Sequence, residues 1–129
     1  MKTNKFFVYG TLKVGGRFAT KFDGHRTSVK KATANGSMYS VGNGNFPAVM
    51  FNTNNKIFGE IHEYKNEEEI QKAFNRIEGF YGEGDSDNLY NILKIKVKDT
   101  DGNTVECLTY EFNHSVDCLP KIDSGIWEI

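Results

Sequence analysis

Two features of this 129-residue sequence combine residue types that can do chemistry: a glycine-containing loop near its start and a glutamate at the end of an apolar repeat. The loop runs over residues 9–16, Tyr-Gly-Thr-Leu-Lys-Val-Gly-Gly, and is called the glycine loop below. Glycine lets a backbone approach a ligand closely and point its N–H groups at an anion. The loop lacks the Gly-Lys-Ser/Thr ending of a Walker phosphate loop. It therefore predicts either a small-ligand site or a tight turn alone.

The glutamate, Glu78, ends the one clear helical pattern in the chain. Asn66 followed three residues later by Glu69 resembles a capping box, and Gly79 is a natural helix stop. Apolar residues between them recur at the i, i+3, i+4, i+7 spacing of one helix face, namely Ile70, Ala73, Phe74 and Ile77. The pattern predicts an amphipathic helix from about residue 66 to residue 78.

The predicted helix would tune the chemistry of Glu78. A carboxylate in the last turn lies at the negative end of the helix dipole, which disfavours its charge by about 0.3–1 kcal/mol. The dipole and any burial both raise the pKa of Glu78, which makes it a better proton acceptor. Because Glu78 follows Ile77, it borders the apolar face. The sequence predicts a general base here, with an exposed residue at a frayed helix end as the alternative.

Other candidate groups lack the spacing that their chemistry needs. His25, His62 and His114 are far apart, and the acidic stretch 82–88 lacks the ligand spacing of a calcium loop. Cys107 and Cys118 have no adjacent histidine and no secretory context, so both are predicted to be thiols. We expect no metal and no cofactor.

Short strands must position the loop and the glutamate. We expect strands over residues 6–9, 30–41 and 46–51, a short helix around 18–22, and a turn at 52–55 that makes 46–64 a hairpin. Pro47 marks 46–51 as an edge segment, because proline cannot donate to a ladder. Residues 93–97 alternate apolar with lysine, and a turn at 99–103 leads to an antiparallel partner at 105–112. The pattern predicts an α+β fold with a mixed, barrel-like sheet and one main amphipathic helix.

Composition excludes several classes of protein. The chain is 38% hydrophobic and contains 10 Phe and 6 Tyr, which suits one compact domain over residues 1–129 and excludes a disordered chain. We expect Phe6, Phe58 and Phe74 to serve its core. No apolar run reaches the roughly 18 residues of a membrane span, so we expect a cytoplasmic protein that does not bind membranes.

The charge is unevenly distributed along the chain. Residues 1–31 carry eight Lys and Arg against one acid, and residues 32–129 carry eight against sixteen. A basic arm can indicate nucleic-acid binding, with steeply salt-dependent affinity. Here the charges are interleaved with apolar residues of folded elements, so we expect a small-molecule partner and no nucleic acid.

Taken together, the motifs resemble those of the gamma-glutamylcyclotransferase-like, or AIG2-like, family. The resemblance covers essentially the whole chain, and the pairing of Val-Tyr-Gly-Thr-Leu with a distant Glu-Gly is its specific part. The segments that carry it are residues 7–13 (FVYGTLK), 46–48 (FPA), 57–61 (IFGEI), 77–80 (IEGF), 89–90 (LY) and 124–127 (SGIW). Two positions depart from the family pattern: Asn91 stands where members often have Arg, and Ile126 where they often have an acid.

The resemblance implies a small barrel-like fold whose enzymes release 5-oxoproline from gamma-glutamyl compounds without a cofactor. It implies that Glu78 is the proton acceptor and that four residues of the glycine loop bind the glutamyl part, namely Tyr9, Gly10, Thr11 and Leu12. Tyr90, Tyr81 and residues 82–88 are expected at the mouth of the pocket, where the leaving group is bound. The alternative is a binding module that keeps the pocket without turnover. Neither the substrate nor the oligomeric state follows from the sequence.

Overall fold

The computed structural model describes residues 5–42, 44–65 and 67–128. Six strands and one α-helix form the architecture, with a short 3₁₀ helix, Ala19–Phe22, between the first two strands. The elements are β1 (Lys5–Val8), β2 (Arg26–Val41), β3 (Phe46–Tyr64), α1 (Glu67–Ile77), β4 (Tyr90–Asp99), β5 (Thr104–Phe112) and β6 (Lys121–Ile122).

Five of these strands close into a mixed barrel. The strand order is β3-β1-β5-β4-β2, and β2 pairs again with β3, while β6 is added beside β2. The pairing of β1 with β5 is parallel, and the other pairings are antiparallel. Thr109 on β5 adds a side-chain bond, donating from Oγ1 to the Phe7 carbonyl at 2.9 Å. The predicted mixed, barrel-like α+β fold is confirmed.

Side chains alternate between two apolar layers, as the period of two along a strand requires. On β1, Phe7 belongs to one layer, and Phe6 and Val8 belong to the other. The first layer draws buried or partly buried residues from all five strands and so fills the barrel, including Phe7, Ala34, Met38, Val49, Ile57, Val97 and Cys107. The second packs the outer face of the sheet against α1 and the 3₁₀ helix, including Phe6, Phe22, Tyr64, Ile70, Phe74 and Phe112.

The predicted hairpin within 46–64 is wrong. Both 46–51 and 56–64 pair with β2 in one continuous direction, with Phe51 opposite Gly36 and Lys56 opposite Asn35. The four residues 52–55 therefore bulge out of the ladder, where Asn52 adopts a φ of 63°. Thr53 Oγ1 lies 2.8 Å from Ser37 Oγ, so the polar side chains that suggest a turn stabilise a bulge instead.

The other predicted elements are present in the described residues, with two qualifications. Asn66, the predicted N-cap, lies outside the described residues, whereas Ile70 and Phe74 are buried as the repeat predicts. Phe6 and Phe74 are core residues, but Phe58 is 43% exposed, because it alternates with the buried Ile57 and so faces away from the barrel interior. No helix within the described ranges is long and apolar enough to cross a membrane.

Both cysteines are free thiols, as predicted. Cys107 is buried in the barrel, where burial raises its pKa to about 12, and Cys118 is exposed.

Candidate active site

A pocket of about 430 Å³ lies where the glycine loop, the β2–β3 turn, the end of α1 and the start of β4 meet. This volume falls in the range of small-molecule sites. Six of the residues singled out from the sequence line this one pocket, namely Tyr9, Gly10, Thr11, Leu12, Glu78 and Tyr90. The four residues of the glycine loop precede Glu78 by 66 or more positions in the chain, and closure of the barrel brings them to the same cavity.

The glycine loop is folded by its own backbone hydrogen bonds. The Lys13 amide donates to the Gly10 carbonyl at 3.0 Å, and the Phe18 amide donates to the Thr11 carbonyl at 3.0 Å. Gly10 packs so closely on Pro47 that an added Cβ would lie 2.6 Å from its Cγ. Within the described chain, the amides of Thr11 and Leu12 pair with no acceptor of the protein. Both residues line the pocket, so its wall contains two backbone donors without a protein acceptor among the described residues.

A buried polar chain that sequence reasoning missed anchors this loop to β3. The Val14 amide donates to Glu60 Oε1 at 2.9 Å, and the same oxygen lies 2.8 Å from His62 Nε2. His62 Nδ1 lies 2.7 Å from the hydroxyl of Tyr64. The bond to His62 and the Val14 amide together hold the pKa of Glu60 below its usual range. The alternate spacing of Glu60, His62 and Tyr64 on one strand face is the signal that could have revealed this chain.

Lys13 ties the loop to the end of the described chain. Its side chain is nearly buried, and Nζ donates to the backbone carbonyl of Trp127. Burial lowers the pKa of Lys13. Trp127 itself packs against the barrel interior.

Glu78 occupies the C-cap of α1, where the backbone fixes its position. The Phe80 amide donates to the Asn75 carbonyl at 2.8 Å, and the Gly79 amide to the Arg76 carbonyl at 3.3 Å. These two bonds, with Gly79 at a φ of 64°, form a Schellman motif. The helix end is therefore locked rather than frayed, and Glu78 is directed to the pocket.

The carboxyl group of Glu78 has an unusual environment. Burial raises its pKa to about 8. Among the described residues, no side chain or amide donates a hydrogen bond to it, and it forms no ion pair. In its ionised form, a carboxyl group with a pKa near 8 accepts a proton from a bound ammonium group far more readily than one of ordinary pKa.

Three tyrosines surround Glu78, and each hydroxyl is already engaged elsewhere. Tyr9 donates to the Tyr110 carbonyl at 2.6 Å, Tyr90 to the Pro47 carbonyl, and Tyr110 to Asn75 Oδ1 at 2.7 Å. Burial, followed by the nearby charge of Glu78, holds the pKa values of Tyr90 and Tyr110 above their usual range. The tyrosines therefore build a rigid apolar wall and leave the Glu78 carboxyl group free.

Residues 6–129 match the family described as "Gamma-glutamyl cyclotransferase, AIG2-like". The chain belongs to this family.

Relatives of known name or structure agree with that membership. The chain is 32% identical over 107 residues to the gamma-L-glutamyl-butirosin B gamma-glutamyl cyclotransferase of Niallia circulans, an alignment covering 83% of this chain and 65% of that protein. YkqA from Bacillus subtilis superposes with a TM-score of 0.70 at 26% identity, covering 98% of this chain. The chain spans just under two thirds of the butirosin relative and 40% of YkqA.

A similar fold occurs in a protein of nearly the same length. The AIG2-like protein of Mus musculus superposes with a TM-score of 0.68 at 19% identity, covering 95% of this chain and 88% of that one. This likeness shows that the chain shares its fold with that AIG2-like protein.

The mouth of the pocket in this AIG2-like chain differs from the sequence prediction. Tyr90 lines the pocket, but Tyr81 is 72% exposed and does not, and neither do residues 82–88. That acidic loop is held away by Asn88, which is fully buried and bonds the Tyr81 amide, the Gly82 carbonyl and Asn91. The residues that line the mouth instead are Arg17, Phe18, Asn45 and Phe46. A single apolar or basic residue in a loop carries no spacing signal, so the sequence did not reveal them.

In the described part of the chain, no three His, Cys, Asp or Glu side chains gather as metal ligands would. His62 is taken up by the polar chain with Glu60 and Tyr64.

Proposed function

We propose that this protein is a gamma-glutamyl cyclotransferase that converts a gamma-glutamyl amine or gamma-glutamyl amino acid to 5-oxoproline and releases the free amine. The observation that carries the proposal is the unpaired carboxyl group of Glu78 in the same pocket as the free amides of the glycine loop. Family membership and the cyclotransferase relative support it.

The reaction does not require the enzyme to bring two separate reactants together. In a gamma-glutamyl amide, the attacking α-amine and the γ-carbonyl carbon belong to one molecule, so the nucleophile is already tethered to its target. A rigid pocket that holds the substrate in its folded conformation supplies the remaining orientation. The apolar wall of Phe7, Tyr9, Tyr90 and Tyr110 suits this role.

Glu78 acts as general base and then as general acid in the proposed reaction. The α-amine is protonated near neutral pH, and Glu78 accepts the proton that frees it to attack the γ-carbonyl carbon. One N–C bond forms and the C–N bond to the leaving group breaks, while Glu78 returns a proton to the departing nitrogen. The α-ammonium loses two protons in total and the leaving amine gains two, so the reaction consumes neither water nor net protons.

The amides of Thr11 and Leu12 stabilise a negatively charged group of the substrate or of the intermediate. In the proposed mechanism they donate to the oxyanion of the tetrahedral intermediate or to the α-carboxylate of the substrate. Each donor to an oxyanion is typically worth about 10²- to 10³-fold in rate.

The test measures 5-oxoproline from a panel of gamma-glutamyl amines and gamma-glutamyl amino acids. We expect the wild type to turn over at least one of them and Glu78→Gln to lose about 10²- to 10⁴-fold in kcat. Glu69→Gln, a change at an exposed glutamate of α1, is the matched control and keeps full activity.

Two outcomes contradict the proposal. Absence of 5-oxoproline from every compound, combined with tight binding of one of them, would identify a binding module without turnover. Wild-type rates in Glu78→Gln would remove the general base.

A further inference from the structure

The pocket holds one cation and one carboxyl group among its described lining residues, Arg17 and Glu78. In the proposed reaction Glu78 is assigned to the α-amine of the substrate. Arg17 remains without a role in that mechanism, although a charged side chain at the mouth of an otherwise apolar pocket is a natural determinant of specificity.

Arg17 is held in place yet has no counter-ion among the described residues. Its Nη2 donates to the Asn45 carbonyl in the β2–β3 turn, and its guanidinium lies 5.2 Å from the centre of the Phe18 ring. Arg26 and Lys30 each have an aspartate partner, whereas Arg17 forms no ion pair with any carboxylate of the described residues. A guanidinium has five N–H donors in a fixed fork, so most of them stay available to a ligand carboxylate.

Arg17 and Glu78 serve different parts of a ligand. Glu78 is half-buried and lines the pocket beside the tyrosines, whereas Arg17 is exposed at the rim. The pKa of Glu78 agrees with this separation, since burial raises it and an adjacent guanidinium would lower it. The reacting amine and γ-carbonyl must sit at Glu78, so the group that reaches the rim is the leaving group.

We propose that Arg17 binds a carboxylate of the leaving group, so that the preferred substrates are gamma-glutamyl amino acids or peptides rather than gamma-glutamyl amines without that carboxylate. The inference rests on the proposed function. Phe18 contacts Arg17, and Phe46 lines the same pocket next to Asn45, so the two rings can accommodate an apolar side chain next to the bound carboxylate. The excess of basic residues in the first 31 positions favours the approach of such an anion.

The test uses two substrates that differ only in this carboxylate, gamma-glutamyl-phenylalanine and gamma-glutamyl-phenethylamine. We expect the wild type to prefer the first by about 10- to 100-fold in kcat/KM, as for a charge-assisted, bidentate contact. Arg17→Met should reduce that preference to less than threefold, mainly through KM, and Arg17→Lys should restore part of it. Lys21→Met removes an exposed cation that does not line the pocket and should keep the preference.

Each other outcome has a definite meaning. An equal loss on both substrates in Arg17→Met would show that Arg17 only fastens the loop to Asn45 or binds the glutamyl carboxylate, and would overturn the inference. Equal wild-type turnover of the two substrates would overturn it while leaving the cyclotransferase intact. Failure to release 5-oxoproline from any compound would overturn the proposed function and this inference together.

Binding to the inactive Glu78→Gln variant separates recognition from turnover. Calorimetry should show the same 10- to 100-fold preference for gamma-glutamyl-phenylalanine in the dissociation constants. The preference should vanish in the Arg17→Met, Glu78→Gln double variant, and its persistence there would exclude Arg17 as its source.

Discussion

In the proposed mechanism, Glu78 combines two properties that normally oppose one another, a carboxyl group largely withdrawn from water and a required negative charge. Burial raises its pKa to about 8, so the carboxyl group of the free protein is largely protonated at pH 7. The raised pKa is useful because a carboxylate of ordinary pKa near 4.5 would be a poor acceptor for an ammonium proton. The same residue therefore sets both the pH range of activity and part of the pH dependence of stability.

The activity should rise with pH through the pKa of Glu78. Productive binding pairs the Glu78 carboxylate with the substrate ammonium, so kcat/KM should fall about tenfold per pH unit below pH 8. It should fall again where the substrate amine loses its proton. Rates between pH 6 and pH 10 on two substrates with different leaving groups measure this profile. A flat profile between pH 6 and pH 8 would show that Glu78 does not titrate in the catalytic step.

Stability should have the opposite pH dependence. The folded-state pKa of about 8 exceeds the ordinary value of 4.5, so between these values the folded chain binds more protons than the unfolded chain. The free energy of unfolding therefore falls as pH rises from about 5 to 8. Because glutamine carries no charge, Glu78→Gln should exceed the wild type in stability by about 1–3 kcal/mol at pH 8.5 and by less than 0.5 kcal/mol at pH 4.5.

Urea unfolding at the two pH values measures this difference, with Glu69→Gln as the exposed control. A constant difference between Glu78→Gln and the wild type at both pH values would mean that the carboxyl group is solvated in the folded protein.

At the scale of elements, the C-terminal cap of α1 positions Glu78, the proposed base. Gly79 adopts a φ of 64°, and a Cβ there would lie 3.1 Å from the Cβ of Leu89. Gly79→Ala should cost about 1–2 kcal/mol of stability, because an L-residue is strained in this conformation. It should also lower kcat/KM by at least tenfold, because a displacement of Glu78 by about 1 Å disturbs the reacting geometry.

Gly102 in the β4–β5 turn offers a matched control. Its φ is 83°, it has open space around it, and it does not line the pocket. Gly102→Ala should therefore lose similar stability and keep the activity of the folded protein. Equal activity losses in the two variants, compared at equal folded fractions, would show that the Gly79 cap does not position Glu78 for the reaction.

Local patterns predicted most elements and picked out the glycine loop and Glu78, which line the pocket. The alternation of Leu93, Ile95 and Val97 with lysines predicted β4, and the helical repeat with Gly79 predicted α1 and the position of Glu78 at its end. The bulge at 52–55 escaped prediction, because the same polar residues suit a turn and a bulge, and only the register with β2 decides between them. Arg17 and Asn88 escaped because their roles depend on partners distant along the chain.

At the scale of the whole molecule, closure of the barrel creates the pocket. The glycine loop follows β1, Glu78 follows α1 and Tyr90 begins β4, and no local pattern relates these three positions. The parallel pairing of β1 with β5 and the return of β2 to β3 bring them together. The helix is joined to this barrel mainly through one aromatic cluster outside it.

Phe74 is the centre of that aromatic cluster, and its truncation should destabilise the entire domain. It is fully buried, and its ring contacts Phe6, Phe22 and Tyr64 at centroid distances of 5.1, 4.9 and 5.4 Å. Phe74→Ala should therefore lower the free energy of unfolding by about 3–5 kcal/mol. Phe74→Leu should cost less, since leucine refills most of the space.

Chemical denaturation followed by tyrosine fluorescence and by far-ultraviolet circular dichroism measures these losses, and Lys72→Ala on the exposed face of α1 is the control. The two signals should change together in each variant, because β1, the 3₁₀ helix, β3 and α1 share the same cluster. Phe74→Leu should retain activity within about threefold while folded, because the Gly79 cap and the contact with Leu89, rather than Phe74, hold Glu78 in the pocket. Separate transitions for helix and barrel would show instead that α1 unfolds on its own, and the base would then be positioned by an element only loosely coupled to the pocket.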